Sequence, residues 1–191
     1  MRKFIWSVVA LAGIACAHAD DLRYSYAEGG IGRLDLDQID AGDSYFLGGS
    51  LGFGTSWLGF VEYSTSKFDA AGMNADLDQA MVGFGGHFAM ADNIDFVGKL
   101  AYVDQSVDVN TPIGNGSADE NGYMLSAGVR GRMLERLDLT GAVEYVDVGD
   151  GDDTGLSLRG LYDFTDMFSL GARVGYSDDA TSYGLFARFT F

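Results

Sequence analysis

Apolar residues alternate with small or polar ones along most of this chain, in runs bounded by Gly, Asp, Asn and Ser. A two-residue period belongs to a strand, whose side chains point to opposite faces; on a helix the same residues would scatter around the cylinder. In the last run Tyr183, Leu185, Ala187, Phe189 and Phe191 share one face, with Gly184, Phe186, Arg188 and Thr190 on the other. Phe168-Leu170-Ala172-Val174-Tyr176, Tyr123-Leu125-Ala127-Val129 and Leu137-Leu139-Gly141-Val143-Tyr145 repeat the pattern. Strands are expected over residues 22–34, 45–54, 57–66, 77–88, 94–103, 122–132, 137–146, 155–163, 168–176 and 182–191. The count is ten, or eight if the weaker hairpin signals at 35–44 and 67–76 fail. Register is least defined in the first strand, where Tyr24 and Tyr26 share parity with Glu28.

Connections are short at Thr55-Ser56, 89–93, 134–136 and 164–167, and mostly longer at 35–44, 67–76, 104–121, 147–154 and 177–181. Short turns on one rim and long loops on the other fit an up-and-down antiparallel barrel with both termini on the short-turn side.

A soluble sandwich and a membrane barrel both have one apolar face, and three features favour the barrel. The second face is rich in Gly, Ser and Arg, which suits a confined lumen. Aromatics are sorted by height: Tyr45, Tyr102, Tyr123, Tyr145 and Tyr176 at the long-loop ends, Trp57, Phe88, Phe96 and Phe168 at the short-turn ends. Two aromatic girdles around an apolar band suit a bilayer. Finally, the sequence ends on the apolar face of a strand, at Phe191.

The last strand resembles the C-terminal signal read by the outer-membrane assembly machinery, a terminal Phe preceded by alternating apolar residues, here Tyr183, Leu185, Ala187, Phe189 and Phe191. Residues 24–33 (Tyr24 to Arg33) resemble the first strand of small proteobacterial outer-membrane β-barrels, to which OmpA- and OmpX-like barrels are related. The resemblance implies a transmembrane β-barrel in the cell outer membrane, with both termini in the periplasm. It implies lipid and lipopolysaccharide as surroundings, and little about task.

The start of the chain reads as a signal peptide: Arg2 and Lys3, an apolar run over 4–15, and the small-x-small site Ala17-His18-Ala19. This divides the chain into residues 1–19 and a barrel domain over 20–191. Cys16 falls inside the signal, and Gly13 stands where a lipoprotein motif usually has leucine, against lipidation. The remaining part has a net charge of −18, which argues against nucleic acid as partner. It has no apolar run of about 18 residues, so helical spans are excluded.

Six cations fall on the lumen parity: Lys99, Arg130, Arg132, Arg159, Arg173 and Arg188, with Glu28, Glu62 and Glu144 expected to face them. They could form a charged constriction. The preferred reading is a salt-bridge network filling the barrel, because unpaired buried charge is costly and small barrels are filled by side chains.

Acids crowd the long loops, among them Asp35, Asp37, Asp40, Asp43, Asp147, Asp150, Asp152 and Asp153. The run 147–153 lacks the spacing and closing Glu of an EF-hand. A solvated acidic rim is expected, with weak divalent-cation binding at most. Surface proteases of the omptin kind and lipid A-editing barrels place histidine near acids or serine toward the outside. Here His87 lies near a periplasmic strand end, and no nucleophile elbow, metal-spaced His/Cys set or phosphate loop occurs. No enzyme and no cofactor are expected. The sequence supports a structural or surface-interaction role, with a narrow porin-like channel as the alternative and a surface enzyme third.

Overall fold

The computed structural model describes residues 22–36, 39–70, 73–112 and 114–191. Signal-like residues 1–19, Asp37 and the three connections at 37–38, 71–72 and 113 lie outside them. Ten strands follow in order: β1 (Tyr26–Leu36), β2 (Ile39–Phe53), β3 (Trp57–Ala70), β4 (Met73–Ala91), β5 (Ile94–Thr111), β6 (Gly114–Leu134), β7 (Leu137–Val148), β8 (Gly151–Asp163), β9 (Phe168–Ser177) and β10 (Ala180–Thr190). Each pairs antiparallel with its neighbours in sequence. β1 closes the ring on β10, from Tyr26↔Thr190 to Leu36↔Ala180. The count is ten and the eight-strand alternative is excluded. Closure leaves no sheet edge in the ring, which is what lets strands cross a hydrocarbon layer with every backbone group satisfied.

The faces are inverted relative to a soluble protein. Leu47 and Leu185 are 67% and 65% exposed. Ile31, Val82, Phe84, Leu156 and Leu158 stand outward with them, while Glu28, Arg130, Asp138 and Arg188 are buried inside. An apolar exterior around a charged interior is stable only where the exterior meets lipid.

β1 and β10 end together on one rim, called here the terminal rim, with the turns at 54–56, 92–93, 135–136 and 164–167. The 54–56 turn is made by Gly54 at φ +63°, a left-handed geometry a side chain disfavours.

Two expectations are corrected. The first strand begins at Tyr26, and residues 22–25 belong to no strand. Their alternation continues past the end of the ladder, because Leu22 and Tyr24 are buried for another reason, given below. The expected long loops are largely paired strand: β5 and β6 run 18 and 21 residues, laddered from Ile94↔Gly131 to Thr111↔Gly114. A strand needs only about 9–11 residues to span a bilayer, so the far parts of these strands stand beyond it. There both faces are wet and apolar alternation fades, although the backbone ladder continues.

Candidate functional site

The lumen is the site, because the barrel turns its chemistry inward. Lining residues from all ten strands enclose a cavity of about 430 Å3. Its wall owes its shape to glycine. A Cβ on Gly171 would meet Phe186 Cζ at 2.4 Å, and one on Gly83 would meet Phe60 Cζ at 2.7 Å. These glycines therefore give the inward rings room against the wall.

Cations lie over those rings. Arg173 is 3.5 Å from the Phe46 centroid, Arg188 is 3.6 Å from Tyr26, and Arg159 is 4.8 Å from Phe186. Arg130 is 4.9 Å from Tyr24 and Lys99 5.3 Å from Phe60. Each ring face attracts the cation above it.

Carboxylates complete the arrangement. Glu28, on β1, receives Arg188 Nη2 and Arg159 Nη2, both at 2.6 Å, from β10 and β8. Arg173 Nη1 lies 3.3 Å from Glu62 Oε1. Nearer the terminal rim Arg130 and Arg132 converge on Asp138 at 2.9 and 2.7 Å, and Arg132 also reaches Asp163 at 2.9 Å. Ser169 donates to Asp163 at 2.6 Å. Glu144 accepts from Ser157 at 2.7 Å instead of from a cation. Among the described residues neither Glu144 nor Lys99 forms an ion pair within 4 Å.

Asp138, Asp163 and Asp95 are the acids that the sequence reading left out, although all three share lumen parity with the residues it named. The inward rings Tyr24, Tyr26, Phe46, Phe60 and Phe186 were also left out. Their signal was an aromatic interrupting a face otherwise made of Gly, Ser and Arg.

Around the outside, Tyr45, Trp57, Phe88, Phe96, Tyr102, Tyr123, Phe168 and Tyr176 are exposed. Tyr145 is half-buried, its ring 6.1 Å from Tyr123. Tyr183, Leu185, Phe189 and Phe191 stand outward on the last strand, with Ala187 half-buried between them. His87 points inward, stacked 4.0 Å from the Tyr24 ring, with Nδ1 3.3 Å from Asp95 Oδ2. Burial pushes the Tyr24 phenol well above its ordinary range, so it remains the donor to Asp95. Among the described residues no group of three or more His, Cys, Asp or Glu is placed to hold a metal ion.

No curated protein matches the chain by sequence. Among solved structures the chain is similar to the NanC porin, at 10% identity and a TM-score of 0.56, covering 87% of this chain and 100% of that one. It is also similar to Ail, the attachment invasion locus protein of Yersinia pestis, at 12% identity and a TM-score of 0.50, covering 88% and 99%. At such identities the likeness is one of fold. The sequence pattern of the outer membrane protein β-barrel domain matches residues 6–159, well over half of the chain. With a closed ring that is apolar outside and charged inside, the match settles the class: the chain belongs to the outer membrane protein β-barrel domain family, whose place is the cell outer membrane.

Proposed function

We propose that this barrel is a structural and surface-interaction protein, its lumen filled by the cation, carboxylate and ring network rather than kept open for transport. The observation that carries this is the pair Arg173–Glu62. The two side chains come from strands four places apart in the ten-strand ring and meet at 3.3 Å, so they obstruct the bore. The charge inside supports the same reading. Lys99, Arg130, Arg132, Arg159, Arg173 and Arg188 stand with Glu28, Glu62, Asp95, Asp138, Glu144 and Asp163. Six of each sign leave the lumen with no net charge to favour ions of one sign.

The terminal rim then faces the periplasm and the long hairpins face outward. The strand ending at Phe191 is the segment offered to the assembly machinery, and lipid and lipopolysaccharide surround the aromatic girdles. Acids at the far rim would attract divalent cations diffusely, with no fixed site; a saturable calorimetric titration with Ca²⁺ below the millimolar range would contradict that. We assign the barrel no reaction and no cofactor.

The cavity itself favours a second reading, a narrow porin-like channel, since Lys99, Ser126 and Ser157 line it without closing it. Planar-bilayer conductance of refolded protein separates the two, with an Arg130→Ala, Arg132→Ala variant alongside. Silence from folded protein is expected. Discrete steps whose size or selectivity changes in the variant would replace the first reading with the second.

A further inference from the structure

The four described residues ahead of β1 are held by the opposite side of the barrel mouth. Leu22 and Tyr24 are only 6% and 9% exposed, in one apolar cluster with Leu58 and Val97 on which Phe60 packs. The Tyr24 ring stacks on His87 of β4, and its phenol donates to Asp95 of β5 at 2.7 Å. From β6, Arg130 covers the same ring and donates from Nη1 to the Arg23 carbonyl at 2.8 Å. Arg23 Nη1 in turn donates to the Asp166 carbonyl, in the turn between β8 and β9, at 2.6 Å. β6 stands opposite β1 in the ring. A segment that leaves β1 and is held by β4, β5 and β6 has therefore crossed the mouth.

This segment is separable from the barrel. Only Ser25 touches the ring's backbone; the last β1–β10 ladder pair is Tyr26↔Thr190, and residues 22–24 pair with neither neighbour of β1. Where it meets β1, Ser25 accepts from Phe191 N at 3.1 Å through its carbonyl and from Gly52 N at 3.1 Å through Oγ. A segment that extends beyond the last strand of a sheet is ordinarily mobile unless tied down. Here the ties are side chains projecting into the lumen, which places the segment under the cavity instead of beside it.

We propose that residues 22–25 form a strap that closes the terminal-rim mouth of the lumen, latched by Tyr24 between His87, Asp95 and Arg130. Its release admits water-borne solutes to the lower lumen without opening the barrel wall. This holds whether or not the bore above conducts.

The test is the rate at which a charged, water-soluble methanethiosulfonate modifies a single lumen cysteine in the full chain, purified in detergent, with Cys16→Ser throughout. Thr140→Cys reports the lower lumen: it lines the cavity beside Arg130 and Arg159, its ladder partners. Ser64→Cys, on β3 toward the far rim, is the control. Leu22→Ser with Tyr24→Ala should raise the rate at position 140 about tenfold, as local opening becomes frequent, and leave position 64 unchanged. Tyr24→Phe keeps the ring and the apolar cluster, so it folds, and loses only the bond to Asp95. It should raise the rate at 140 about threefold. Unchanged rates at 140 in the variants that fold, or an equal rise at both positions, would overturn the strap. If the double variant does not fold, the Tyr24→Phe rate alone decides.

Discussion

Arg173 reaches from β9 across the lumen to Glu62 on β3, Nη1 to Oε1 at 3.3 Å, with its guanidinium carbon over Phe46 at 3.5 Å from the ring centroid. The two contacts do different work. Glu62 neutralises the charge, and both members keep about a quarter of their side-chain surface open, so that pair is partly screened. Phe46, by contrast, is 6% exposed and fixes where the guanidinium sits. Phe46→Leu should therefore cost more than Glu62→Gln. We expect ~2 kcal/mol for the ring, from lost cation–π attraction and packing, against ~1 kcal/mol or less for the partly exposed carboxylate. Urea midpoints of refolded barrels in lipid vesicles measure both, and the reverse order would mean that the ion pair holds the arginine.

Glu28 has the opposite balance. It is buried and holds two guanidiniums, Arg159 and Arg188. Glu28→Gln leaves two cations facing each other with no counter-charge, whereas Arg159→Gln leaves the neutral pair Glu28–Arg188. The first should cost about 3–5 kcal/mol, the range for breaking a buried pair, and the second clearly less. Unfolding of the two single variants in one vesicle preparation decides; equal losses would show that Glu28 is not the hub of the cluster.

Leu158 and Arg159 are adjacent on β8 and point to opposite faces, one outward and one into the lumen. Leu158→Arg puts a cation on the lipid face, at roughly 2–4 kcal/mol near mid-bilayer. Arg159→Leu keeps the exterior intact. Only the first should impair assembly, seen as loss of the difference in gel mobility between unboiled and boiled protein. Equal damage from both would overturn the assignment of faces.

Why the wall was legible and the interior only in part follows from what alternation encodes. Parity states which face a residue takes, and lipid selects one face so strongly that Leu139, Leu170 and Leu185 could be sorted from the sequence alone. Parity does not state who meets whom across the bore. Arg173 meets Glu62 four strands away, while Arg130 and Arg132 converge on Asp138, the ladder partner of Arg132 on the next strand, an acid not first matched with either. Nor does it separate a strand from a buried strap: Leu22 and Tyr24 keep the two-residue period of β1 while leaving its ladder. At the far rim the signal fails for another reason. Residues 104–121 face water on both sides, and nothing there forces alternation, so paired strand read as loop.

That last region makes a sharp prediction about what the barrel needs. Val103 is fully buried, packed with Ala101 and Met124 at the inner end of the β5–β6 hairpin. Beyond it, β6 loses β7: their ladder begins at Gly122↔Val148. Residues 106–119 pair with β4 and with each other, beyond the β6–β7 ladder. Gln105 and Glu120 are ladder partners, so a two-residue Asn-Gly turn can join them with a twist matching the strands. Replacing 106–119 by that turn should leave the heat-modifiable gel shift intact. Barrel stability should stay within about 0.5 kcal/mol, as for changes away from core contacts. Any binding to outer surfaces that depends on the hairpin would be lost. A shortened chain that no longer yields the folded, fast-migrating form would show instead that the projecting hairpin is part of what closes the ring.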